Sequence, residues 1–159
     1  MKKGFFYSML VMISFALMSS TCSSDDDGMN GNNNSAEIQL ITNTMQSGTW
    51  RITNFVDSGQ DETSNFSGYN FSFNTDGTLV ADNGTTTVNG TWSVTDDDSS
   101  SDDSSSDDDI DFNIAFISPS NFEELTEDWE ILTRSSSKID LRHISGGNGG
   151  TDLLTFEKN

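Results

Sequence analysis

The chain has 159 residues, 32% of them apolar, with 7 basic side chains against 26 acidic ones, a formal charge of −19, one cysteine and one histidine. Such a charge excludes nucleic-acid binding by phosphate neutralisation, and it excludes electrostatic docking on anionic lipid headgroups. A single cysteine excludes an internal disulfide and a cysteine-rich zinc site, and a lone His143 excludes a histidine-cluster metal centre.

Residues 1–21 read as a secretory signal peptide. Lys2 and Lys3 precede a charge-free apolar run from Phe5 to Met18, and small polar residues follow. The run is shorter than the roughly 20 apolar residues of a membrane-spanning helix. Residues 22–35 read as Cys22 followed by a tether of Ser, Asp, Gly and Asn, in which Met29 is the one apolar side chain, so no core forms there. Processing removes Lys2 and Lys3 and no acid, which leaves the chain more acidic still.

The domain proper spans residues 36–159. From Ala36 to Gln46 the apolar positions Ile38, Leu40, Ile41 and Met45 recur at helical spacing, with Gly48 as a stop. The period then becomes two. Trp50, Ile52 and Phe55 mark a first strand, and Tyr69, Phe71 and Phe73 a second. Asp76-Gly77 and Asn83-Gly84 are hairpin turns flanking a third strand from Leu79 to Asp82. The fourth runs from Thr86 to Thr95, with Val88, Trp92 and Val94 on one face. Ile110, Phe112, Ile114 and Phe116 make the clearest half-buried strand. Ser118-Pro119-Ser120 breaks the pattern, and Asn121 is placed to cap a helical turn through Leu125. Trp129–Thr133, Lys138–Ile144 and Asp152–Glu157 complete eight strands joined by connections too short for parallel crossovers. The expected fold is all-β: an eight-stranded antiparallel up-and-down barrel with a short N-terminal helix.

Two resemblances attach to these residues. Ser19-Ser20-Thr21-Cys22 resembles a bacterial lipoprotein box, and Ser23-Ser24-Asp25-Asp26-Asp27 resembles the acidic tag of surface-exposed Bacteroidetes lipoproteins. This resemblance implies that Cys22 carries a diacylglyceryl anchor with palmitate-type chains, and that the protein sits at the cell surface on the outer membrane. Gly48-Thr49-Trp50 is similar to the Gly-x-Trp signature of lipocalins. The segments Phe73–Thr78, Gly90–Val94 and Ser145–Phe156 are similar to the lipocalin-like domain of Bacteroidetes lipoproteins. That likeness implies that Trp50 closes one end of the barrel. It also implies an arginine laid across Trp50 from the last strand, for which Arg142, on the penultimate strand, is the nearest candidate.

Candidate chemistry is sparse. Residues 96–109 hold eight Asp and six Ser, without the central Gly or closing Glu of a calcium loop, and read as a solvated loop. Gly146-Gly147-Asn148-Gly149-Gly150 lacks the Lys-Ser/Thr of a phosphate loop and reads as a flexible hairpin. Glu123, Glu124, Glu127, Asp128 and Glu130 read as solvated surface. His143 shares the face of Ile139 and Leu141, as an interior histidine or a ligand contact. No nucleophile, metal or acid–base constellation appears, so neither catalysis nor a cofactor is expected. The strand aromatics leave two readings open. Tyr69, Phe71, Phe73, Trp92, Phe112 and Phe116, with His143, line a pocket for a small apolar ligand, or the same side chains fill the barrel of a non-catalytic envelope module. The partners expected are the membrane, through Cys22, and that ligand. Phe66, in a Ser- and Asn-rich stretch, is expected to tolerate truncation better than Trp50.

Overall fold

The structure, a computed structural model, describes residues 32–96, 110–145 and 150–159. The signal peptide, Cys22, most of the tether, the acidic tract from 97 onward and the glycines at 146–149 lie outside the described residues. Helix α1 spans Asn32–Met45, so it begins four residues earlier than the apolar spacing predicts, inside the stretch read as tether. Nine strands follow: β1 (Trp50–Asp57), β2 (Gln60–Asp61), β3 (Asn70–Phe73), β4 (Thr78–Asp82), β5 (Thr87–Asp96), β6 (Ile110–Ala115), β7 (Glu127–Arg134), β8 (Lys138–Ile144) and β9 (Thr151–Lys158). All pairings are antiparallel: β2 is a two-residue flap on β1, β1 pairs with β3, β3 to β8 each pair with the next in sequence, and β1 returns to pair with β9. The result is the expected closed eight-stranded barrel, which leaves no long sheet edge exposed.

Closure is lopsided. β1 runs beside β9 from Trp50↔Lys158 to Val56↔Leu153, but meets β3 at the single pair Trp50↔Phe71. Where β3 is missing, Thr63 replaces it. Its hydroxyl accepts from the Phe55 N–H at 2.8 Å and lies 3.3 Å from the Phe55 carbonyl, which also accepts from the Glu62 N–H. Thr126 serves Phe116 in the same way, accepting from its N–H at 2.8 Å and donating to its carbonyl at 3.0 Å. Both satisfy main-chain groups that would otherwise be buried without partners.

Two bulges re-aim side chains. Thr53 is an extra residue between Ile52↔Phe156 and Asn54↔Thr155, so Phe55 joins Trp50 and Ile52 on the inner face. Leu132 is extra between Ile131↔Leu141 and Thr133↔Asp140, which sets Arg134 opposite the inward-facing Ile139. There Arg134 meets Glu37 of α1 in an ion pair.

Both ends of the barrel are plugged. At the end where β1 begins, α1 lies across the mouth and buries Ile41 and Met45 in the core, and the Trp50 indole donates to the Met45 carbonyl at 2.9 Å. Lys158 of β9 covers the Trp50 ring at 5.2 Å, a cation–π contact, and its ammonium also donates to Ser47. Arg142, the sequence candidate for that place, faces outward and grips Glu130 bidentately at 2.7–2.9 Å. At the opposite end the plug is a 3-10 turn (Thr63–Phe66) and the short helix α2 (Ser120–Glu123). Pro119 rather than Asn121 stands at the N-cap of α2. The Trp129 indole donates to the Leu125 carbonyl just beyond α2 at 3.1 Å. Phe122 meets four rings there: Phe66, Tyr69, Phe71 and Phe116, at centroid distances of 5.1–6.2 Å.

Phe66 overturns its sequence expectation. It is 1% exposed and packs on Phe55, Phe71 and Phe122. Truncating it leaves a cavity between strand wall and plug, just as Trp50→Ala does at the other end. Denaturant melts of Trp50→Ala and Phe66→Ala should therefore each show a loss of about 3–5 kcal/mol. Gly90 faces inward beneath Phe116, and a Cβ there would stand 2.5 Å from the Ala115 carbonyl oxygen and 2.6 Å from the Phe116 ring. The same melts on Gly90→Ala should show a loss of about 1–3 kcal/mol from overpacking.

Candidate functional site

The expected pocket residues converge, but on one another. Phe71, Phe73, Trp92, Phe112 and Phe116 are all buried in the core, and Tyr69 is half-buried against it. Phe73 touches Trp92, Phe112 and Phe156 at 5.1–5.8 Å between centroids, and Phe156 reaches Phe71 at 5.3 Å. These are edge-to-face contacts in which each ring takes the space a ligand would need. The clefts found among the described residues lie elsewhere. One, of about 540 Å³, is a depression on the outer wall of β5, β6 and β7, floored by small and polar residues such as Ser93, Asn113 and Ala115. One of about 370 Å³ separates α1 from β6 and β7, and one of about 210 Å³ separates α1 from the β3–β4 turn and β5.

His143 does face the side of Ile139 and Leu141, at the α2 end. Its ring stands edge-on to Trp129 at 6.2 Å, between two carboxylates. Nε2 is 3.4 Å from Glu127 and Nδ1 3.5 Å from Asp152, yet Nδ1 is buried and makes no hydrogen bond. The Asp152 carboxylate is committed elsewhere. It accepts from the Ser58 N–H at 2.7 Å, holding Ser58 in a left-handed conformation at φ 48°, and from the Ser145 hydroxyl at 3.4 Å. Ser145 thus bonds to Asp152 and not to His143. The cluster ties the β1–β2 turn to β8 and β9. Among the described residues no group of three or more His, Cys, Asp or Glu side chains is placed to hold a metal ion.

The arginines of the described residues, and Lys138, are committed to the scaffold. Arg51 pairs with Glu157, Arg134 with Glu37, Lys138 with Asp140 and Arg142 with Glu130. Near α2, burial and repulsion from Glu62 and Asp57 hold the Glu124 carboxyl above the usual glutamate range. Asp140 shows the opposite balance. Burial pushes its carboxyl up, but Thr133, Lys138 and Thr155, at 2.7–2.9 Å, outweigh that and hold it below the ordinary aspartate value of 3.8.

No protein-family model and no curated protein matches the chain. Among solved structures it is similar to a crystal structure of a DUF4847 family protein from Bacteroides vulgatus ATCC 8482. The identity is 18% and the TM-score 0.43, over 75% of this chain and 97% of that one.

A lowered folded value means that the Asp140 contribution is present above 3.8 and is lost as pH falls through that folded value. Asp140→Asn should therefore cost about 1–2 kcal/mol at pH 7. Denaturant melts from pH 7 to pH 2.5 should show the gap between variant and parent closing below pH 3.8.

Proposed function

We propose that the protein is an exported lipoprotein of the cell envelope, anchored in the outer membrane through Cys22, whose lipocalin-like barrel is a non-catalytic interaction module with a filled interior. The ring lattice of Phe71, Phe73, Phe112 and Phe156 carries this reading over the ligand-binding one, because three of the four are fully buried and Phe73 is 3% exposed. A barrel that accepts an apolar guest at its centre needs space that these rings occupy. The lipocalin-like character rests on Gly48-Thr49-Trp50 and is supported by the cation over Trp50 from the last strand, supplied here by Lys158. The anchor rests on Cys22 and its sequence surroundings. Among the described residues no helix is long and apolar enough to cross a membrane.

A rigid, plugged barrel presents its outer wall and its loops. With Arg51, Arg134, Lys138 and Arg142 already in ion pairs, such a surface is an acidic one, and it suits partners that bring basic groups.

Native mass spectrometry of the purified protein should give the mass of the processed, acylated polypeptide alone. A co-purified small molecule that leaves on denaturation restores the ligand-binding reading. Cell fractionation tests the anchor: Cys22→Ser should release the protein from the membrane fraction or leave its precursor uncleaved, and unchanged partition with unchanged processing refutes it.

A further inference from the structure

We infer that Asn83 is a self-modifying site: in the folded protein it converts to aspartate and isoaspartate, because the turn between β4 and β5 places a base and an oxyanion site around the Asn83-Gly84 step. Asn-Gly occurs four times in the chain. Asn30 and Asn148 lie outside the described residues, which leaves Asn83-Gly84 and Asn89-Gly90 to compare. In such a step the main-chain nitrogen of the glycine attacks the asparagine Cγ, and no Cβ stands in the way.

The fold treats the two steps differently. Asn89 and Gly90 lie in mid-ladder, opposite Val80 and Leu79 of β4. The Trp92 N–H donates to the Gly77 carbonyl, so by strand alternation the Gly90 N–H also faces β4 and is held in the sheet. Asn83 and Gly84 lie in the turn. Asn83 Oδ1 accepts from the Thr85 N–H at 3.0 Å and from the Thr86 N–H at 2.8 Å, which bends the amide forward along the chain. The Gly84 N–H donates to Asp82 Oδ1 at 2.9 Å, and the Thr87 hydroxyl holds the other oxygen of that carboxylate. Gly84 is exposed, with φ 82° and no neighbour within 4 Å of the place a Cβ would take, so a ring closing there displaces nothing.

Each group has a part in the chemistry. The Gly84 nitrogen bonds to Asn83 Cγ as its proton passes to Asp82 Oδ1. Negative charge builds on Asn83 Oδ1, where the Thr85 and Thr86 N–H groups already point. The Cγ–Nδ2 bond then breaks, Nδ2 takes the proton back from Asp82 and leaves as ammonia, and a succinimide ring spans positions 83 and 84. Water opens that ring at one carbonyl to aspartate or at the other to isoaspartate. Either product adds a negative charge at the hairpin tip beside Asp82. The step involves neither the anchor nor the interior, so it is independent of the function proposed above.

Ageing the full chain at neutral pH, followed by digestion and peptide mass spectrometry with fragment sequencing, tests it. Asn89 is the more exposed of the two asparagines, so exposure alone puts the faster conversion there. The turn instead puts it at Asn83, by on the order of 100-fold over Asn89. In denaturant the two should convert at one common rate, slower than that of Asn83 in the folded chain. Asp82→Asn keeps an acceptor for the Gly84 N–H and removes the base, and should slow conversion at Asn83 by on the order of 100-fold. A carboxylate that only braced the turn would, on replacement, loosen it and speed the step. The Asn89 rate in the same variant reports whether the hairpin still holds, and where it does not, the folded and denatured rates of the parent decide. Folding that slows Asn83, Asn89 converting as fast as Asn83, or faster conversion in Asp82→Asn with Asn89 unchanged overturns the inference.

Discussion

An eight-stranded barrel has an interior with room for one layer of large side chains, and here aromatic rings pack on one another across it. The aromatic lattice that runs from Trp129 through Phe55, Phe66 and Phe122 to Phe71, Phe156 and Phe73 is the interaction on which the rest depends. A short domain with few aliphatic residues reaches a stable core by using rings, each of which buries more area than an aliphatic side chain. The cost of that choice is polar: every indole brings an N–H into the interior. Each of the three finds a main-chain carbonyl, at Met45, Asn74 and Leu125. Two of those carbonyls lie where helical turns end, so the same bonds that satisfy the tryptophans also finish the plugs.

Main-chain accounting explains the irregular parts. β3 is too short to partner β1 along its length, and the chain between them folds back as a turn that supplies Thr63 and Phe66 together. One residue repairs the backbone and the other fills the void behind it. The β6–β7 connection does likewise with Thr126 and Phe122. These two connections form one end of the molecule, and the His143, Asp152 and Ser58 contacts brace the turn beside them.

Strand alternation was legible wherever one face is buried and the other wet. In β6 the order Ile110, Phe112, Ile114 against Asp111, Asn113, Ala115 translates directly into buried positions alternating with half-buried or exposed ones. The turns at Asp76-Gly77 and Asn83-Gly84 were legible because both glycines need positive φ, 82° in each case. The early start of α1 was not, since Asn32 to Ser35 carry no helical signal and the polar contacts of Asn34 and Glu37 with Asp96 and Arg134 are tertiary. Phe66 was misread because a lone aromatic in a polar turn has no periodic neighbours. The cation over Trp50 was sought as an arginine, and register alone decides that Lys158 lies opposite Trp50 while Arg142 lies opposite Glu130. The residues named for a pocket were found together, and whether such a set lines a space or fills it depends on ring orientation, which sequence does not encode.

The pairing of β1 with β9 also sets an order of events in time. Arg51 and Glu157 stand 106 residues apart in sequence, and until the last strand arrives the first strand is held on its other side by one pair with β3 and two with the β2 flap. Contacts of such long range carry a large loop-closure entropy and slow folding. During synthesis, β3 to β8 can zip up hairpin by hairpin as they emerge, while β1 waits with Trp50 and Phe55 uncovered. The barrel closes only once β9 has been made, so β1 is the strand longest exposed to chaperones, proteases and wrong partners.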